Sequence, residues 1–235
     1  MLILAIDTSD EVGVIALGKD SSLVCEYHFH SRMTLLKRLV PNIDRVLTDT
    51  GHTVKDLNGI AVSLGPGSFT GLRIGVTTAK SLAYTLGIPI VGIGTLDALA
   101  YSCGPSATDI ICPMIHARTD EVYWSLFDSG GEMRLTDAAA GPVSAALKAA
   151  FERGETALFC GSGATKNAEA IRHTLGNKAI VQKSWTSFAR GAAILELGHH
   201  LLQDGVAQDP ASLIPLYIRK PTPVVRLETG EFEKT

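Results

Sequence analysis

The chain has 235 residues, 46% hydrophobic and 19% charged, with a formal charge of −3. That balance describes one large or two small folded domains, not a disordered chain, and it lacks the basic footprint with which a protein grips nucleic acid unaided. The four cysteines, Cys25, Cys103, Cys112 and Cys160, stand apart without a C-x-x-C pair, which argues against zinc or a disulfide framework and for reduced thiols in the cytoplasm.

Leu2 to Ile6 reads as a buried strand, with Val12 to Leu17 and Leu23 to Tyr27 as two more. Their linkers, Thr8-Ser9-Asp10-Glu11 and Gly18-Lys19-Asp20-Ser21, have turn composition and predict a meander of hairpins. The N-terminus has no basic leader and no apolar run is long enough to cross a bilayer, so a cytoplasmic chain without a membrane partner is expected. Leu35, Leu36, Leu39, Val40, Ile43, Val46 and Leu47 then recur at helical spacing, and Pro41 either kinks that helix or marks its first turn. Arg32, Lys37, Arg38 and Arg45 gather there as a solvated face. A strand at Ile60 to Leu64, a glycine-rich turn, a helix over about Thr70 to Leu86, a strand at Ile88 to Ile93 and a short helix from near Thr95 follow.

The second half partly repeats this order. Asp109 to Ile115 reads as a strand, Ala117 to Asp120 as a turn and Glu121 to Phe127 as the hairpin partner. After a polar stretch come a helix (Pro142 to Arg153), a strand (Ala157 to Cys160), Gly161-Ser162-Gly163, a further helix, a short strand (Ala179 to Val181) and a long helix from about Ser187 to Gln203. The tail holds Pro210, Pro215, Pro221 and Pro223, and its last residues are expected to fray. Two halves that each open with strand, turn and hairpin predict an internal duplication, with a cleft between them as the natural ligand site.

The run Gly65-Pro66-Gly67-Ser68-Phe69-Thr70-Gly71-Leu72-Arg73-Ile74-Gly75 is the most informative stretch. Glycine inside a helix costs roughly 1 kcal/mol against alanine. Gly71, Gly75, Ala79 and Ala83 nevertheless fall four apart, a stripe with almost no side chain against which a phosphate, a helix or another protein must pack closely. The run lacks the lysine of a P-loop and the G-x-G-x-x-G order of a dinucleotide fold. Asp7-Thr8-Ser9 could hold Mg²⁺ and offer N–H groups to a phosphate, or could simply cap its own turn. The histidines His28, His30, His52, His116, His173, His199 and His200 form neither H-x-x-x-H nor H-E-x-x-H, and no nucleophile elbow is present. No catalytic residue, metal ligand or cofactor is assigned from the residues.

Ile3-Leu4-Ala5-Ile6-Asp7-Thr8-Ser9, the glycine-rich run, Ala117-Arg118 followed by Glu121-Val122-Tyr123, and Pro215-Leu216-Tyr217-Ile218-Arg219 occur in that order. Together they resemble the bacterial TsaB family, also called YeaZ, over nearly the whole chain. The resemblance implies an α/β fold of the actin-like ATPase type (ASKHA, ribonuclease H-like), with two related domains at 1–105 and 106–220, a degenerate nucleotide cleft and a tail at 221–235. It implies a non-catalytic part in forming N6-threonylcarbamoyladenosine at position 37 of tRNAs that read codons beginning with A. A separate enzyme makes threonylcarbamoyl-adenylate, and the paralogue TsaD transfers the threonylcarbamoyl group. The family member holds TsaD as a heterodimer through its N-terminal domain, TsaE joins the larger complex, the chain pairs with itself when TsaD is absent, and tRNA is touched only indirectly. The paired metal histidines of TsaD are missing here.

Three departures from the family pattern stand out. His116 takes the place of an aspartate that serves as a second phosphate-loop acid in active members of the wider fold. Leu35 stands where the family has a histidine ahead of Pro41, and Gly161-Ser162-Gly163-Ala164 stands for Gly-Asp-Gly-Ala. Asp7, Thr8 and Ser9 are read as a vestigial phosphate loop. The docking face implied by the resemblance covers Met33 to Leu47 and Thr70 to Leu86, with Leu36, Leu39, Val40, Ile43, Thr70, Gly71, Leu72, Gly75, Ala79 and Ala83 as its contacts. On that reading Gly75→Leu or Ala79→Glu abolishes docking and leaves the monomer folded. The competing reading is an enzyme of the same fold, a kinase-like ATPase or a glycopeptidase-like metallopeptidase.

Overall fold

The computed structural model describes residues 1–30, 35–118, 120–153 and 156–218. In chain order these form β1 (Leu2–Asp7), β2 (Val12–Lys19), β3 (Ser22–His30), α1 (Leu35–Asp49), β4 (Gly59–Gly65), α2 (Phe69–Leu86), β5 (Ile90–Gly94) and α3 (Thr95–Tyr101). Then follow β6 (Ile110–Arg118), β7 (Glu121–Trp124), β8 (Phe127–Asp128), β9 (Ala139–Pro142), α4 (Val143–Glu152), β10 (Ala157–Cys160), α5 (Ser162–Lys166), α6 (Ala168–Leu175), β11 (Ala179–Val181) and α7 (Gly191–Gln203). Arg32, Met33, Arg219 and the tail at 221–235 with Pro221 and Pro223 lie outside the described residues.

Two sheets carry the same plan. The first is five-stranded in the order β3-β2-β1-β4-β5, and the second reads β11-β10-β6-β7-β9 with β8 also on β6. In each, the opening strand pairs antiparallel with its hairpin neighbour and parallel with the strand that follows the first helix. Thus Ala5 faces Ala16 and Ala61, while Cys112 faces Phe159 across a parallel pair and Met114 faces Trp124 across an antiparallel one. The duplication expected from the sequence is visible as this shared order.

β1 is buried along its length and apolar up to Ile6 because both of its faces are covered. Leu2, Leu4 and Ile6 point to α1 and α2, and Ile3 and Ala5 point to α7, as alternation in a strand requires. α2 is capped by Ser68 Oγ, which accepts from Gly71 N at 3.2 Å, and ends at Gly87 in the left-handed region. α1 runs through Pro41, whose ring lies on its exposed side.

Several element boundaries differ from the sequence expectation. Glu121 to Phe127 is not one strand, because the chain leaves β7 at Ser125, whose hydroxyl donates to Thr136 O at 2.6 Å, and re-enters as β8. β9 lies within the expected polar stretch; its Ala139-Ala140-Gly141-Pro142 sequence has little strand propensity and is held by pairing with β7. α7 starts at Gly191, not Ser187, and β5 at Ile90, just after Pro89.

A cut between 105 and 106 separates the two sheets but not the packing. α3 lays Leu96, Leu99 and Ala100 on Ile111, Ile115 and Phe127 of the second sheet. α7 returns to the first sheet, where Ile194 and Leu195 meet Ile3, Ala16 and Val91. A Cβ on Gly198 would come within 2.5 Å of Ala61 Cβ, so the helix rides very close to the strands. Residues 206–218 then form a strap over the first sheet and α2. Gln208 N donates to Ile90 O at 2.9 Å, Leu216 N to Leu64 O at 2.7 Å, and Lys80 Nζ to Leu213 O at 2.7 Å.

Candidate functional site

The end of β1 lies where the first sheet's β1–β2 turn meets the helix after β10, at Glu11 and Lys166. Asp7, Thr8 and Ser9 are all buried. Asp7 Oδ1 accepts from Ser9 N at 2.8 Å, and burial pushes its carboxyl above the usual carboxylate range. Thr8 Oγ1 donates to Gly71 O at 2.7 Å, and Ser9 O accepts from Ser68 N at 2.6 Å.

These contacts explain the glycines. A Cβ on Gly67 would fall 2.3 Å from Ser9 O, one on Gly71 2.0 Å from Thr8 O, and one on Gly75 2.1 Å from Thr8 Oγ1. Only a bare helix edge can lie on the β1–β2 turn. Ala79 and Ala83 continue that side into the core under β1 and β4.

The stripe therefore faces the chain's own strand, which corrects its placement on an open docking face. Gly71, Leu72, Gly75, Ala79 and Ala83 are buried in the monomer, as are Leu39 and Ile43 of α1. Of the expected contacts, Leu36 (75% exposed), Val40 (59%) and Thr70 point outward. The outward side of α2 is instead Thr70, Arg73, Thr77, Ser81 and Tyr84, the last 79% exposed. Arg73 stacks 3.9 Å over the Phe69 ring, and its Nε donates to Tyr217 Oη at 3.3 Å, so the strap borders this face.

Facing this turn, the second sheet supplies a glycine turn of its own at Gly161 to Gly163. His116 N donates to Ser162 Oγ at 3.1 Å, and Gly161 N to Ser187 Oγ at 2.6 Å. The Asp10 carboxylate bonds the Ser162 side chain, and Lys166 Nζ meets Glu11 Oε1 at 2.9 Å. Burial raises Asp10 as it raises Asp7. The turn thus gathers the carboxyl groups of Asp7, Asp10 and Glu11, the last paired with Lys166, and Ser9 N–H is already taken by Asp7. Among the described residues no group of three or more His, Cys, Asp or Glu side chains is placed to hold a metal ion.

A second electrostatic centre had no sequence signal. Glu26 on β3 accepts from Gly191 N at 2.6 Å and from Arg190 Nε at 3.2 Å, and its carboxylate lies 2.6 Å from His28 Nε2. Burial opposes its ionisation, but His28, Arg190 and the Gly191 N–H outweigh that and hold it at about 2. The carboxylate thus caps the N-terminus of α7 from another part of the chain. No helix among the described residues is long and apolar enough to cross a membrane.

Comparison with known proteins places these features. A family model described as "TsaD: tRNA N6-adenosine threonylcarbamoyltransferase" matches residues 32–221. The tRNA threonylcarbamoyladenosine biosynthesis protein TsaB of Bacillus subtilis (strain 168) is 32% identical over 221 residues, 93% of this chain and 94% of that one. A crystal structure from Pseudomonas aeruginosa, described as an uncharacterized protein with similarity to peptidase YEAZ, superposes with a TM-score of 0.76 at 24% identity, covering 93% of this chain and 99% of that one. The ethanolamine utilization protein EutJ of Carboxydothermus hydrogenoformans aligns at a TM-score of 0.53 and 12% identity, covering 84% and 90%, and the shared architecture is that of the actin-like ATPases.

Proposed function

We propose, because the chain belongs to the TsaB family, that it serves the formation of N6-threonylcarbamoyladenosine in tRNA as a non-catalytic scaffold that holds and activates TsaD. TsaD performs the transfer of the threonylcarbamoyl group to the adenine N6, and this chain supplies the surface on which TsaD is held. TsaE joins the larger assembly, and tRNA reaches this chain only through its partners.

The observation that carries the reading is the outward face of α1 and α2. Leu36 and Val40 lie one helical turn apart on α1 with their side chains in water, and Tyr84 stands exposed on α2, the helix packed against it. Large apolar side chains grouped on one face mark a surface that gains from being covered, at roughly 25 cal/mol per Å² of apolar area. The same face would serve a second copy of the chain, so self-pairing and TsaD binding compete. The Ser9 N–H at the β1–β2 turn, already bonded to Asp7 Oδ1, supports the non-catalytic part of the reading, since it is not free to receive a phosphate.

The test is a reconstituted transfer with TsaD and TsaE from the same organism, with and without this chain, run beside a pull-down. We expect modified adenosine to form only when the chain is present. Val40→Glu should cut both TsaD retention and modified adenosine at least tenfold, with unchanged circular dichroism. Full retention by Val40→Glu would sink the docking face, and full activity without the chain would sink the scaffold role.

A further inference from the structure

Cys103 follows the last turn of α3, on the segment that joins the two sheets. Its Sγ donates to Leu99 O at 3.5 Å and to Gln182 Oε1 at 3.8 Å. Each of these partners leads to Cys160. Leu99 Cδ2 lies 2.5 Å from where a Cβ on Gly161 would sit, so it presses on the residue just after Cys160. Gln182 donates its backbone N–H to Phe159 O at 2.9 Å, the residue just before. Cys103 thus sits beside the segment that carries Cys160, its thiol bonded to that of Cys160, and it packs against the apolar cluster of Leu96, Leu99, Ile111 and Phe127 to which Cys160 belongs.

The two thiols are unequal. Cys103 keeps part of its surface in water, and its bond to the Cys160 thiol lowers it below the ordinary cysteine value. Cys160 is fully buried, and burial pushes it well up. A more acidic, reachable thiol backed by a buried one has the arrangement of an attacking and a resolving cysteine. Cys25, also partly exposed, is raised by burial. Cys112 is buried and raised the same way, so it offers no competing reachable thiol.

We propose that Cys103 and Cys160 form a thiol modification site, which a hydroperoxide converts reversibly to a disulfide. The Cys103 thiolate attacks the peroxide, the O–O bond breaks, and a sulfenic acid forms as hydroxide or alkoxide leaves and takes up a proton. The Cys160 sulfur then displaces the sulfenic oxygen, forming the S–S bond, while its proton leaves with that oxygen as water. The sulfurs together lose two electrons and the peroxide gains two, and a dithiol reverses the change. The bond would tie the segment after α3 to the end of β10, next to the glycine turn whose Ser162 bonds Asp10.

The experiment treats the purified full chain with a slight excess of hydrogen peroxide, alkylates free thiols after denaturation and maps the peptides by mass spectrometry. We expect the thiol count to fall from four to two. A Cys103–Cys160 cross-linked peptide should appear, lost on adding dithiothreitol, with Cys25 still alkylated. Cys103→Ser, at a partly exposed position, should keep the melting temperature and abolish the cross-link. Sulfinic acid on Cys103 with Cys160 free, preferential oxidation of Cys25, or no reaction at Cys103 would each overturn the proposal.

Discussion

Gly75 has no room for a side chain, because Thr8 Oγ1 occupies the place its Cβ would take. Gly75→Leu therefore has to force α2 off the β1–β2 turn, and Ala79→Glu has to bury a charge with no partner at a fully buried site. Each should destabilise the monomer by about 3 kcal/mol or more and lower the melting temperature on the order of 10 °C. This reverses the expectation that such variants stay folded and lose only a partner. Melting followed by circular dichroism decides it, and a wild-type melting point for both variants would show that the stripe faces outward after all. The spacing of four was legible in the sequence, and so was the need for a close neighbour. What covers the stripe was not, because periodicity says which residues share a side and never what lies against that side. The same gap hid the outward role of Arg73 and Tyr84.

α7 shows how far element reading reaches. Its apolar spacing is plain, yet the helix starts four residues later than that spacing suggests, since the group that caps it is a carboxylate far away in the chain, Glu26 on β3. That contact has a pH signature. Glu26 falls from its ordinary 4.5 to about 2 in the fold. A depressed carboxylate stabilises fully above its unfolded value and loses that contribution as pH falls from about 4.5 toward 2, a loss of about 3 kcal/mol at most. Asp7 and Asp10, raised by burial, act with the opposite sign, opposing folding once pH exceeds the usual carboxylate range. Urea midpoints of wild type and Glu26→Gln should thus differ most near neutral pH and converge at the acid end of that window. A gap that stays constant with pH would show that the Glu26 carboxylate is not what anchors the helix. β9 eluded the sequence for a related reason, its strand state being conferred by the β7 edge and not by its own side chains.

At the scale of the molecule, the repeated strand–turn–hairpin order was enough to foresee two related layers, and the two sheets do share one strand order. The return of the chain to the first sheet after β11 carried no such mark. Ile194 and Leu195 could have packed on either layer, and the small Ala16 and Ala61 facing Gly191 and Gly198, with the Glu26 cap, decide for the first. A fragment of residues 1–105 would leave the α7 side of β1, β4 and β5 bare. It should give no cooperative thermal transition and should bind a hydrophobic dye, whereas residues 1–218 should melt cooperatively; a sharp transition from the short fragment would show that the first sheet is self-sufficient. This return also sets a timetable for synthesis. A nascent chain emerges N-terminus first, so the earliest strands to leave the ribosome stay half-clad until the segment that roofs them, nearly two hundred residues later, has been translated. The oldest part of the chain is the last to be sealed.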